Sequence, residues 1–104
     1  MKHVFLYVTT KNAEEAEKIG RVLVDEHLVA CVNISGSVKS IYRWQGKIED
    51  GLESVFIAKT KESLADKTIS RIKELHSYEC PCIVALPVVA GNPDYLKWIS
   101  AETQ

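Results

Sequence analysis

Two long extended stretches joined by one tight turn occupy the middle third of this 104-residue chain. Residues 28–34 (LVACVNI) and 38–44 (VKSIYRW) lead into Gln45-Gly46, and the chain returns through KIED and LESVFIAKT. A continuous strand over residues 28–45 would span roughly 60 Å at about 3.3 Å per residue. A compact domain of this length is only about 33 Å across. The second and third strands must therefore bend near residues 35–37 or project from the domain as a ribbon.

A projecting ribbon of two strands would be marginally stable in water on its own. Its side chains make isolation still less favourable, because Val38, Ile41, Tyr42 and Trp44 are apolar or aromatic. Apolar patches of this kind mark interaction surfaces. We therefore expect the ribbon to pack on other subunits.

Before the ribbon, the pattern predicts a strand followed by a helix. Residues 3–10 (HVFLYVTT) form a β-branched and aromatic run, typical of a strand covered on both faces. Asn12 and Glu15 have the spacing of a capping box, and apolar residues continue at helical spacing through His27, which predicts a helix over residues 13–27. Gly20 lies inside this helix, where a close packing contact would explain it.

After the ribbon, Ser63 and Asp66 suggest the start of a second helix, with Ala65, Ile69, Ile72 and His76 on one apolar stripe. Residues 82–89 (CIVALPVV) predict a fourth strand, and Asn92-Pro93 opens a short helix. The order β-α-β-β-α-β-α predicts an α+β fold. Its first six elements form the ferredoxin-like βαββαβ pattern: a four-stranded antiparallel sheet with an extended hairpin between the second and third strands, followed by a C-terminal helix. We expect residues 1–104 to form a single domain.

Composition narrows the class of function. The net charge is −1, with 46% hydrophobic and 26% charged residues, which is typical of a globular protein and disfavours a general nucleic-acid or membrane binder. We expect no signal peptide and no apolar segment of spanning length. Three cysteines (Cys31, Cys80 and Cys82) then predict reduced thiols and a cytoplasmic protein.

Several motifs together resemble one family. They are ACVN at 30–33, SIYRWQGKIE at 40–49, AKT at 58–60, HSYECP at 76–81 and the ending ALP…GNPDYLKWI. In order and spacing they are similar to CutA, the divalent-cation tolerance protein family, over nearly the whole chain. The resemblance implies a homotrimer of ferredoxin-like protomers, shaped like PII-type signalling proteins and linked to copper and other divalent metals. Bacterial members assigned a copper site have a second His where this chain has Leu75 and a Cys where it has Val8.

Two residues are candidate metal ligands, His76 and Cys31. His76 ends the second predicted helix, where a cation complementing the helix C-terminus or a buried histidine is the alternative to a metal contact. Cys31 lies in a strand beside Ala30 and Val32, where a small buried residue is the alternative to a ligand. Cys80 and Cys82 suit Cu(I) or Zn in principle, although Pro81 between them disturbs a common strand face and favours incidental thiols.

Five further residues are candidates for an inter-subunit cleft: Tyr42, Trp44, Lys47, Lys59 and Tyr78. For Tyr42 and Trp44 the alternative is interface packing alone, because aromatic anchors dominate interfaces. Lys59 is predicted either as a solvated strand end or as a buried cation paired with a carboxylate such as Glu49 or Glu53 across an interface.

Two functions follow as hypotheses, and catalysis is not expected. The first is a trimeric, non-catalytic metal-tolerance protein that binds copper or another divalent cation. The second is a PII-like sensor whose anionic ligands are held in subunit clefts by Arg43, Lys47 and Lys59. The loop TTKN lacks the Arg that acylphosphatases with this fold require, and no G-x-S-x-G or H-E-x-x-H motif is present.

Overall fold

The computed structural model describes residues 2–104 as four strands and three α-helices in the predicted order. The elements are β1 (His3–Thr10), α1 (Ala13–Asp25), β2 (Cys31–Trp44), β3 (Lys47–Lys61), α2 (Ala65–Leu75), β4 (Ile83–Pro87) and α3 (Pro93–Ala101). A 3-10 turn over Glu62–Leu64 precedes α2. The strands form one antiparallel sheet in the order β2-β3-β1-β4. The ferredoxin-like α+β prediction is confirmed.

The first helix begins as the capping pattern predicts. The Asn12 side chain accepts a hydrogen bond from Glu15 N at 2.9 Å, which satisfies one free N–H of the first turn. The Glu15 carboxylate does not bond back to Asn12; its Oε1 accepts from Lys11 N at 3.1 Å. A Cβ added at Gly20 would lie 3.2 Å from Val32 Cγ1, so the glycine lets α1 approach β2 closely.

The helix ends earlier than predicted. It stops at Asp25, and His27 has a left-handed backbone with φ of 58°. His27 therefore leaves the apolar stripe, and its ring lies 3.2 Å from Glu102 O. The predicted extent to residue 27 was wrong because a left-handed residue reverses the chain toward Leu28, whose N–H bonds to Leu23 O at 3.0 Å. Other boundaries differ too: β2 begins at Cys31, and β4 covers only Ile83–Pro87.

The hydrophobic core lies between α1, α2 and one face of the sheet. The sheet contributes Leu6, Val8, Phe56 and Ala58, all fully buried. The helices contribute Ile19, Leu23 and Ile72 among others. Alternation along the strands then places their neighbours on the opposite face. That outer face carries Phe5, Tyr7, Ile57, Val84 and Leu86.

The ribbon both bends and projects. A register shift between Ser35 and Val38 marks a bulge, which increases strand twist. Beyond it the pairing continues to Trp44 opposite Lys47, and the turn residues Gln45 and Gly46 have φ of 50° and 81°. Positive φ at both positions is the type I′ geometry that suits a two-residue hairpin. The molecule extends 44 × 26 × 23 Å, with every residue from 41 to 50 exposed.

Strand alternation gives the ribbon two different faces. The aliphatic face carries Ile41, Ile48 and Leu52, which are 70%, 70% and 68% exposed. The aromatic face carries Tyr42 and Trp44, which are 47% and 42% exposed. The register places Glu53 on the aromatic face, opposite Val38.

Candidate functional site

A cavity of about 790 Å³ lies where the aromatic face of the ribbon meets the segment after α2. Its lining combines aromatic rings, carboxylates and thiols, among them Tyr42, Trp44, Glu53, Tyr78, Glu79 and Cys80. This volume falls within the range of small-molecule sites. The structure thus brings three of the predicted cleft residues, Tyr42, Trp44 and Tyr78, into one cavity.

One hydrogen bond links the two sides of this cavity. The Tyr78 hydroxyl donates to Glu53 Oε2 at 2.7 Å across 25 positions of sequence. Burial raises the pKa of Tyr78 well above its usual value, and the Glu53 bond and nearby negative charge raise it further. Tyr78 therefore remains a neutral donor over the physiological range, while Glu53 supplies negative charge to the cavity.

His76 holds Tyr78 in place. Its Nε2 lies 2.7 Å from Thr9 O, and its Nδ1 accepts a hydrogen bond from Tyr78 N at 3.0 Å. The two rings are in contact, with centroids 4.8 Å apart. Because His76 is the C-cap of α2 with extended backbone, its ring turns toward β1 rather than continuing the helical stripe. Both ring nitrogens are thus engaged within the chain.

Glu15 anchors the same segment from the other side. Its Oε2 accepts a hydrogen bond from Ser77 N at 2.9 Å, so the first turn of α1 fixes the start of the cavity-lining loop. Burial would raise the pKa of Glu15, but hydrogen bonds from Ser77 and Lys11 outweigh it and lower the pKa. The ionised form of Glu15 is therefore the one that stabilises this loop.

Lys59 and Cys31 lie elsewhere, on the outer face of the sheet beneath α3. Lys59 is buried, donates to Asn33 Oδ1, and places its ammonium 5.3 Å from the Phe5 ring centroid. It is thus a buried cation, whose hydrogen-bond partner within the protomer is the amide of Asn33. A carboxylate partner across a subunit interface stays a prediction. Cys31 Sγ lies 3.4 Å from the Tyr95 hydroxyl, and this hydrogen bond, followed by burial, raises the pKa of Tyr95.

The described residues contain no group of three or more His, Cys, Asp or Glu side chains arranged to hold a metal ion. Cys31 is half-buried, whereas Cys80 and Cys82 are exposed free thiols that line the cavity. Val8 is fully buried in the core, and Leu75 packs against the core. These side chains therefore do not fit a preformed metal centre within one protomer.

Sequence reasoning missed the role of Glu53 at this site, although its signal was present. Counting residue pairs outward from the Gln45-Gly46 turn places Glu53 opposite Val38, on the same face as Tyr42 and Trp44. Thr9 and Glu79 also line the cavity and had no local signal. Lys47 is in the hairpin beside Trp44 but does not line the cavity.

None of the described helices is long and apolar enough to cross a bilayer.

Comparison with known proteins agrees with the fold and the motifs. A model of the CutA1 divalent ion tolerance protein family matches residues 4–102. The divalent-cation tolerance protein CutA of Thermus thermophilus is 43% identical over 103 residues, which cover 99% of each chain. The chloroplastic protein CutA 1 of Oryza sativa is 38% identical over 101 residues, which cover 97% of this chain. This chain spans about half the length of such plant and mammalian relatives, 57% for the rice protein and 55% for the mouse protein.

A solved structure gives the same result. The periplasmic divalent cation tolerance protein CutA from Archaeoglobus fulgidus superposes with a TM-score of 0.95 at 39% identity, covering 98% of this chain and 99% of that one. The resemblance inferred from the motifs is confirmed over nearly the full chain. This protein belongs to the CutA1 divalent ion tolerance family.

Proposed function

We propose that this protein is a non-catalytic, cytoplasmic homotrimer that contributes to tolerance of divalent cations, copper among them. The observation that carries the proposal is the family match over residues 4–102. The ion-tolerance role comes from the name of that family. The trimer is supported by surfaces that one protomer leaves uncovered.

Those surfaces are strand edges and apolar side chains. In the order β2-β3-β1-β4, strands β2 and β4 form the two edges of the described sheet, and exposed edges favour pairing with another chain. Two different edges on one protomer suit a head-to-tail contact that closes into a ring. Val84 and Leu86 are also exposed on the outer face, beside the β4 edge.

The aliphatic face of the ribbon adds a driving force. Full burial of an aliphatic side chain stabilises by about 1.5–3 kcal/mol. Ile41, Ile48 and Leu52 are each about 70% exposed, so covering all three would contribute roughly 3–6 kcal/mol per subunit before association costs.

Light scattering coupled to size exclusion tests the trimer. We expect three times the 11.7 kDa chain mass at micromolar concentration. Ile48→Asp should shift the mass toward the monomer, because it places a charge on the aliphatic face. The control Ser70→Asp, which adds the same charge at an exposed position of α2, should leave the mass unchanged. A monomeric mass for the unmodified protein refutes the assembly.

The metal part of the proposal has a separate test. Because one protomer presents no ready three-ligand centre among its described residues, a bound cation requires ligands from more than one subunit or rearrangement around His76. Untagged protein should be titrated with Cu(II), Cu(I) and Zn(II) and examined by native mass spectrometry. His76→Gln and Cys31→Ser should each weaken binding if these residues are ligands. No binding above nonspecific levels would remove metal binding from the proposal, leaving the trimer unaffected.

The cavity supports a second candidate function, a PII-like small-molecule sensor. Its volume and mixed lining are those of a ligand site rather than of a packing defect. A ligand that binds only the folded state raises the melting temperature, by an amount that grows with its concentration relative to its Kd. Thermal-shift screening with nucleotides, organic acids and amines tests this function independently of metals, and it fails if no compound shifts the melting temperature.

A further inference from the structure

The side chains that line the cavity favour one class of ligand. An inference about that ligand rests on the second candidate function, the small-molecule sensor. Three aromatic side chains, Tyr42, Trp44 and Tyr78, line the same space. The face of an aromatic ring carries partial negative charge and attracts cations, and several rings around one space recognise ammonium groups. Along β2, Trp44 lies six residues, roughly 20 Å, from Val38, the partner of Glu53. Tyr42 and Tyr78 are therefore nearer to the Glu53 carboxylate than Trp44 is.

The charged groups of the lining also favour a cation. The lining contains two carboxylates, Glu53 and Glu79, and one basic residue, Lys39. Glu53 uses Oε2 to accept from Tyr78, and its Oε1 has no hydrogen bond from the described residues. The negative charge of Glu53 and Glu15 also contributes to the raised pKa of Tyr78, which reports a negative potential at its hydroxyl.

The basic residues expected to hold an anion do not contribute to this cavity. Lys59 is buried beneath α3 and bonded to Asn33. Arg43 and Lys47 are not among the lining residues. Alternation places Arg43 on the aliphatic face of the ribbon, and Lys47 pairs with Trp44 at the ribbon tip, at the far end from Glu53. An anion in the cavity would thus meet two carboxylates with only Lys39 to compensate.

We propose that this cavity binds a small organic cation, with its ammonium group beside the rings of Tyr42 and Tyr78 and close to the Glu53 carboxylate. The aromatic faces supply the apolar contact, and Glu53 supplies the net charge. The ligand class is an alkylammonium compound with a short polar or apolar tail that fits a cavity of about 790 Å³.

Choline and its uncharged isostere 3,3-dimethylbutan-1-ol provide a matched pair of probes, with succinate as the anionic probe. Binding to the intact assembly is measured by isothermal titration calorimetry and by ligand-observed NMR. We expect choline to bind at least about tenfold more tightly than the isostere, because only the cation gains from the rings and the carboxylate. Succinate should not bind.

Variants then locate the site. Glu53→Gln removes the charge but keeps an acceptor for Tyr78, and should weaken choline binding about tenfold. Glu62→Gln makes the same charge change in the turn before α2, outside the cavity lining, and should have no effect. Tyr78→Phe keeps the ring and should retain binding, whereas Tyr42→Leu removes a ring beside the cation and should lose it. Circular dichroism and light scattering on each variant confirm that fold and assembly are unchanged.

The results distinguish failure of the cation site from failure of the small-molecule function. Equal affinity for choline and its isostere, or equal effects of Glu53→Gln and Glu62→Gln, overturns the cation site. Binding of succinate without choline overturns the cation site but leaves the small-molecule function standing. Absence of choline binding overturns the cation site on its own, and a negative thermal-shift screen in addition removes the small-molecule function.

Discussion

The hydrogen bond between Tyr78 and Glu53 allows a quantitative test of the cavity architecture. Tyr78→Phe removes the donor and leaves the ring in contact with His76. A hydrogen bond to a charged group contributes about 1.5–3 kcal/mol to stability when well buried. Because both residues are only half-buried, solvent screening reduces this to about 1 kcal/mol at pH 7.

The stabilisation that Tyr78 provides should decrease at high pH. An ordinary tyrosine ionises with a pKa of about 10, and the pKa of Tyr78 in the folded state is higher because burial and Glu53 both disfavour the phenolate. The stabilisation from Tyr78 is therefore complete below pH 10. It decreases as the pH rises from about 10 through the folded-state pKa, since only the unfolded chain ionises readily there.

Two measurements check this expectation. In a double-mutant cycle with Glu53→Ala, which removes the acceptor, urea unfolding at one protein concentration should give a coupling of about 1 kcal/mol. Absorbance titration near 295 nm should show a late-ionising tyrosine that disappears in Tyr78→Phe. Tyr95, whose pKa is also raised, should still ionise late in Tyr78→Phe. Ionisation of Tyr78 near pH 10, or a coupling indistinguishable from zero, would refute the role assigned to this bond.

The remaining predictions concern the scaffold that positions the cavity. Asn12→Ala should destabilise the protein by about 1 kcal/mol, because the N-cap bond to Glu15 is lost; thermal unfolding against an exposed alanine control measures it. Phe56→Ala should cost about 3–5 kcal/mol, since Phe56 is fully buried in the core, and a urea midpoint close to that of the unmodified protein would contradict the core assignment. Gly20→Ala should not deliver the usual helix gain of about 1 kcal/mol, because its Cβ would meet Val32 Cγ1 at 3.2 Å. The gain should appear in a Val32→Ala background, and a full gain with Val32 present would exclude the close contact.

Much of the fold could be predicted because its signals are local. An Asn N-cap bonds to an N–H three residues away, and the I′ turn at Gln45-Gly46 depends on two residues that accept positive φ. Alternation on either side of that turn then defines both faces of the ribbon. The length of the ribbon relative to a compact domain already required a bend or a projection.

Predictions from sequence were least accurate where distant parts of the chain form a residue's environment. His27 continues the helical spacing, but the chain reverses there because of the packing of Leu28 and Val29 into the core. Similarly, the buried ammonium of Lys59 donates to Asn33, because the pairing of β2 with β3 brings these two residues together.

Sequence alone determined the order of elements, the Asn12 and Asn92 caps, the hairpin turn and the family motifs, since these depend largely on contacts within a few residues. The predicted start of α2 at Ser63 was wrong, because Ser63 lies in the 3-10 turn and Leu64 is the N-cap. Only the tertiary structure decided that Tyr78 meets Glu53, that His76 uses both ring nitrogens on Thr9 and Tyr78, and that Lys59 lies apart from the cavity. Apart from the local bond between Tyr78 N and His76, these contacts join residues 25 or more positions apart. Their geometry depends on how helices pack on a twisted sheet, which no local pattern encodes.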